Sequence, residues 1–143
     1  MAAYRPGMAK RELTENWSID LDDSFEGRIV DDSLQLVSLG PPMRTVWINV
    51  WGSAAASTTD TLSWIKAESN PNALRRFEEQ SNDGDQLRFA AWYPELDDDG
   101  QHWTLHAYTV RPEGFVNAAI ETESEDDLEW ALAVWRSCEF QSV

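Results

Sequence analysis

From residue 73 to residue 121 the sequence states one pattern four times: a run with strand-type alternation, closed by a turn signal. The runs are Ala73 to Gln80, Gln86 to Pro94, Gln101 to Val110 and Phe115 to Glu121. Asn82-Asp83-Gly84 suits a three-residue hairpin loop with glycine in the left-handed position, Asp99-Gly100 suits a two-residue turn, and Arg111-Pro112-Glu113-Gly114 suits a turn with proline second. Loops this short join antiparallel neighbours, so this half of the chain reads as a four-stranded meander. Pairing across the first loop sets Phe77 opposite Phe89 and Glu78 opposite Arg88, apolar to apolar and charge to opposite charge. Carried through the Asp-Gly turn, one face collects Trp92, Trp103, Leu105, Ala107, Val116, Ala118 and Ile120, the stronger core face. The other face collects Phe89, Ala91, Tyr93, His102, His106, Tyr108, Phe115, Asn117 and Ala119, which is aromatic but studded with hydrogen-bonding groups.

Upstream, Trp17, Ile19 and Leu21 alternate with Ser18, Asp20 and Asp22, the period of a half-buried strand. Ser33 to Leu39 and Arg44 to Trp51 read as two more strands, and the three are expected to pair as an antiparallel set. In the last of them Val46, Ile48 and Val50 share one face while Trp47, Asn49 and Trp51 share the other, so both sides of the sheet need cover. Small residues from Gly52 to Ser57 form a loop, and Thr59, Asp60 and Leu62 open a helix running to about Ser69, where Asn70 and Pro71 stop it. A closing helix from about Glu125 to Ser137 starts at the capping pattern Ser124, Glu125, Asp126, Asp127. Leu128, Ala131, Leu132 and Trp135 make one apolar stripe on it, and Trp130 with Val134 makes a second on the opposite side. The fold class expected is α+β: an antiparallel sheet of about six to seven strands flanked by two helices, as an α/β/α sandwich. Residues 1–14 mix Pro6, Gly7 and charges without a period and read as a flexible N-terminal arm, with residues 15–143 as a single domain.

The opening Trp17-Ser18-Ile19-Asp20-Leu21, the strand Thr45-Val46-Trp47-Ile48-Asn49-Val50, and the ending from Trp130 through Trp135-Arg136-Ser137 together resemble the PsbP-like superfamily. The resemblance spans roughly residues 16 to 141. It implies an α/β/α sandwich and a role as an accessory binding protein, because members with known roles are an extrinsic photosystem subunit and a nuclear-transport factor that binds the Ran GTPase. That superfamily shares no catalytic residue set, so the resemblance carries over fold and not activity. Nine arginines to two lysines fit a bacterial member from a GC-rich genome.

Charge narrows the partners. Eleven basic against 26 acidic side chains leave a net charge of −15, a field that repels phosphate backbones and anionic lipid, so neither nucleic acid nor membrane is expected as a partner. No apolar run reaches the roughly 20 residues of a bilayer span, the N-terminus carries no signal-peptide core, and the single Cys138 cannot form an internal disulfide. A cytoplasmic location follows as the expectation. Cofactor and catalytic signatures are also missing: there is no glycine-rich phosphate loop after a strand and no serine elbow. His102 and His106, the two histidines, are four apart on a strand, which separates their backbones by about 13 Å, too far for one zinc. Glu95, Asp97, Asp99 and Gly100 imitate the start of a calcium loop, but its twelfth position is His106 where a glutamate is needed. No metal and no cofactor are therefore expected.

Two uses remain. The doubly apolar closing helix, through Trp130 and Val134, points to a protein partner or a homodimer, the reading of a non-enzymatic binding or accessory module. The half-polar sheet face, through Tyr93, His106, Tyr108 and Asn117 beside the small Ala91 and Ala119, points instead to a small-molecule site with His106 as an acid or base.

Overall fold

The computed structural model describes residues 8–52, 57–68, 74–98 and 100–142. Its elements are β1 (Met8–Glu12), β2 (Trp17–Asp22), β3 (Glu26–Val30), β4 (Ser33–Ser38), β5 (Arg44–Gly52), α1 (Thr58–Glu68), β6 (Phe77–Asp83), β7 (Gln86–Asp97), β8 (Gly100–Arg111), β9 (Gly114–Thr122), α2 (Leu128–Arg136) and β10 (Glu139–Phe140). Seven strands form one antiparallel sheet in the order β3-β4-β5-β9-β8-β7-β6, and three form a second in the order β1-β2-β10. This is the α+β class expected, with the meander and both helices in place. Among the described residues no helix is long and apolar enough to cross a membrane.

The three hairpin loops depart from expectation by different amounts. At the last, Arg111 pairs with Gly114 around Pro112-Glu113, as the proline implies. At the middle one Asp97 pairs with Gly100, so the register moves by two residues; Asp99 lies outside the described residues. An even shift keeps every side chain on its expected face, and Trp92, Leu105 and Ile120 do line up across β7, β8 and β9. At the first, Asp83 pairs with Gln86 through a two-residue loop that starts with Gly84 at φ +67°, the position where a tight hairpin needs a left-handed residue. Phe77 consequently meets Trp92, and Ser81 meets Arg88. That odd shift of three moves Phe77 to the strongly apolar face, where it packs against the main core. The part of this strand expected from Ala73, and the helix stop at Asn70 and Pro71, lie outside the described residues.

The first half is rearranged more deeply. β2 does not join the large sheet; β3, which was not anticipated, takes the place beside β4 through a turn with Asp31 and Asp32 at φ +50° and +68°. β2 instead pairs with β1 on one side and β10 on the other. It lies in a second layer, and Trp17, Ile19 and Leu21 are buried into the main core from there. Residues 8–12 of the expected arm are thus an edge strand, because their backbone groups find partners along β2.

The main core lies between the large sheet and this second layer. Val46, Leu105, Val116 and Ile120 of the sheet meet Ile19 and Leu21 of β2 and Ala131, Leu132, Val134 and Trp135 of α2. The other face carries a smaller core, in which Leu62 and Ile65 of α1 pack on Leu87, Phe89, Val110 and Phe115. At the start of α2 the Ser124 hydroxyl accepts from the Asp126 N–H at 3.1 Å, the cap expected, and residues Glu125–Asp127 form a 3-10 turn leading into the helix. Arg44 of β5 ties that turn to the sheet with two hydrogen bonds to Asp127, at 3.2 and 2.9 Å.

Candidate functional site

Among the described residues, the α1 face of the sheet is only partly covered. An 11-residue helix is about 16 Å long, whereas the 12-residue strands β7 and β8 each extend about 40 Å. α1 sits over the end bearing Leu87, Phe89 and Val110, and beyond it the same face continues as Tyr93, Glu95 and Asp97 on β7 with His102, Thr104 and His106 on β8. Strand alternation makes these residues neighbours, and it is this alternation that the sequence displays.

At the border between the covered and uncovered halves lies a cleft of about 240 Å³. Its floor is Ala91, paired with His106 in the ladder. On one side Phe89 and Tyr108 stack at 6.5 Å, and on the other Tyr93 and His106 stack at 4.8 Å with their planes 16° apart. Glu95 closes the polar wall, and Glu68 at the end of α1 with Arg75 ahead of β6 stands at the rim. The alanine leaves the gap: any larger side chain there would fill the space between the two stacked pairs.

A carboxylate and two imidazoles organise the polar wall. His106 donates its Nε2–H to Glu95 Oε1 at 3.1 Å. His102 Nε2 lies 3.8 Å from the same carboxylate oxygen, and its Nδ1 lies 3.2 Å from Asp97 Oδ2. The hydrogen bond from His106, helped by Thr104 and by the two imidazoles, overcomes partial burial and holds Glu95 down at about 2. Burial, with the charge of Glu95 adding to it, pushes the Tyr93 phenol up to about 12, and burial raises Tyr108 as well. On β9, burial raises the carboxyl of Glu121. The wall therefore carries an ionised carboxylate at Glu95, one alternate position beyond the uncharged phenol of Tyr93 on the same strand. Among the described residues, no group of three or more His, Cys, Asp and Glu side chains is placed to hold a metal ion.

Of the four residues expected to form a ligand site, Tyr93, His106 and Tyr108 come together in the cleft. Asn117 does not line it; it lies on β9 across from Tyr108, one strand further along the same face. Glu95, Glu68 and Arg75 were not anticipated as site residues. Glu95 was within reach of the pattern, since it continues the alternation of Ala91 and Tyr93, but Glu68 and Arg75 arrive from outside the meander.

The expected partner surface is used inside the chain. Val134 is completely buried, and Trp130 is half-buried, stacked on Phe25 at 6.0 Å with Arg44 over its ring at 4.3 Å. The second apolar stripe of α2 is explained by the second layer, which wraps β2 and the residues after it around the helix. Exposed aromatic surface lies elsewhere, at Trp51 and Trp64 on either side of Phe115, with 53% and 56% of their surface open. Cys138 is buried, and burial pushes its thiol up to about 11. No protein-family model matches the chain, and no curated protein matches it either.

Proposed function

We propose that this protein is a small-molecule-binding domain whose site is the cleft over Ala91. One observation carries the reading: beside Glu68 of α1 lies a cleft in which three of the residues picked out by strand alternation, Tyr93, His106 and Tyr108, converge on a small floor. His106 is oriented by its contact with Glu95, and its ring forms part of the cleft wall, where a ligand would touch it. A PsbP-like arrangement of the layers and a cytoplasmic location belong to the same proposal, supported by the strand-rich α+β sandwich and by the charge of −15.

Ligand-observed NMR of the full chain against fragments of mixed charge provides the test. Hits that vanish in Ala91→Trp and persist in Trp51→Ala are the expected result. Hits that survive Ala91→Trp, or no hits at all, would rule the cleft out. A second reading, an accessory module that binds another protein, is supported by the exposed Trp51 and Trp64, residue types enriched where proteins meet.

A further inference from the structure

The chemistry of the cleft walls goes further than the existence of a site, and the argument rests on the cleft being that site. Aromatic rings bound both sides, and the face of an aromatic ring is electron-rich and attracts cations. The protein already uses this property with a cation of its own, since the Lys66 ammonium lies 5.0 Å from the centre of the Phe89 ring at the edge of the cleft.

The charges agree with the rings. Two carboxylates, Glu68 and Glu95, line the space. Both nearby cations are engaged by the protein itself: the guanidinium of Arg75 pairs with the Glu78 carboxylate at 2.5 Å, and the Lys66 ammonium donates to Gln80 Oε1 at 2.6 Å. An anionic ligand would meet Glu95 and Glu68 inside a molecule of net charge −15. A neutral apolar ligand would strip the remaining water from a carboxylate that His106 satisfies only in part. An ammonium group satisfies both the carboxylates and the rings.

We infer that the cleft takes a small organic cation, a primary or quaternary amine attached to a compact apolar group, with its charge between Glu95 and Glu68 and its apolar part between the stacked pairs. At about 240 Å³ the space is smaller than the roughly 300–1,000 Å³ of sites for drug-sized molecules, so the ligand is no larger than a single ring with a short side chain. Glu95 keeps its negative charge far below neutral pH, and the phenols of Tyr93 and Tyr108 stay uncharged well above it.

Three probes of one shape decide it: 2-phenylethylamine, 2-phenylethanol and phenylacetate, titrated into the full chain by calorimetry. The amine binds at least tenfold more tightly than the alcohol, the acid binds least, and added salt weakens only the amine. Glu95→Gln and, separately, the exposed Glu68→Gln each lower amine affinity several-fold and leave the alcohol unchanged, with far-ultraviolet circular dichroism confirming the fold of each variant. Since Glu68 is exposed, its variant remains informative even where Glu95→Gln unfolds. Equal or tighter binding of the alcohol or the acid, sensitive to Ala91→Trp, overturns the cation assignment and leaves the cleft standing. Failure of the amine to bind up to about 10 mM, weaker than any useful affinity, also overturns the cation assignment. The cleft itself falls only if the mixed fragments above find no site there.

Discussion

Replacing Trp130 by alanine separates an internal role for this side chain from an interfacial one. Full truncation of a buried tryptophan costs about 3–5 kcal/mol, and half-burial brings that near 2 kcal/mol. Loss of the parallel stack on Phe25 adds roughly 0.5–1 kcal/mol, and loss of the Arg44 cation over the ring adds roughly 0.5–1 kcal/mol. The expected destabilisation is therefore about 3 kcal/mol, or roughly a 10 °C fall in Tm for a chain of this size. Urea unfolding of wild type and Trp130→Ala, each at two protein concentrations a hundredfold apart, reads both quantities. For a chain that satisfies Trp130 internally, the midpoint does not move with concentration and the variant unfolds at distinctly lower urea. A double-mutant cycle with Arg44→Ala should return a coupling of about 0.5–1 kcal/mol, because Arg44 also holds Asp127 and only the shared part belongs to the ring. A midpoint that rises with concentration in wild type but not in the variant would refute the internal assignment and restore the helix as a dimer surface.

Three further outcomes follow from particular groups. Glu95, held at about 2, contributes stability that is fully present above its ordinary value near 4.5 and is lost as the pH falls through that window towards 2. Urea midpoints measured from pH 5 to pH 2 should therefore drop less steeply in Glu95→Gln, and parallel curves would contradict the pairing with His106. Cys138, with its thiol pushed up to about 11 by burial, should not react with Ellman's reagent at pH 8 until the protein unfolds; rapid labelling of the native chain would show the thiol to be accessible. Gly114→Ala should destabilise by about 2–4 kcal/mol, since φ is +152° there and an added Cβ would meet the Trp51 carbonyl oxygen at 2.2 Å. A thermal melt within about 3 °C of wild type would mean that β5 and β9 are not as close at this point, a threshold set at about 1 kcal/mol.

How much of this was legible depends on how far apart the deciding contacts lie. The faces of β7, β8 and β9 could be read because turn chemistry and period-2 alternation are local, and even the misplaced Asp99-Gly100 turn erred by an even number of residues. The β6–β7 register could not be read in the same way. A glycine at residue 84 serves a three-residue or a two-residue loop, and Phe77 finds an aromatic partner in either, Phe89 or Trp92. What decides is the core on the far side of the sheet, to which only the observed register delivers Phe77. β3 escaped notice because an exposed edge strand needs no alternation; Ile29 in its middle is 70% open. For β2 the alternation was correct but did not say which sheet, since a strand buries Trp17, Ile19 and Leu21 equally well as a member of a sheet or as a layer upon it. In the cleft, the residues of the meander were visible and those contributed by the end of α1 and the approach to β6 were not.

The same lengths that shape the cleft explain why its neighbourhood is polar. On the main-core face, α2 and the three-stranded sheet together span the strands, and the sequence there is apolar along Ala90, Trp92, Leu105, Ala107, Ala118 and Ile120. On the other face, among the described residues, the cover is α1. Where it ends, an apolar continuation would leave an exposed patch prone to association, and the sequence changes from Leu87 and Phe89 to Glu95 and Asp97 within one strand. Solvation alone would be met by any charged side chains. It does not require that Glu95 engage both His102 and His106, that Tyr93 stack on His106, or that the residue between the two stacked pairs be alanine. Those three features order side chains that a merely solvated edge would leave free, at a cost in rotamer entropy, and they do so around a space that opens towards the rim. A variant that keeps the polarity and removes the order distinguishes the two accounts. His106→Gln retains a hydrogen-bonding partner for Glu95 but loses the ring against Tyr93, so under the solvation account it leaves fragment binding in the cleft unchanged. Under the site account it abolishes that binding while the unfolding free energy falls by no more than about 1 kcal/mol, as expected for a partly exposed pair.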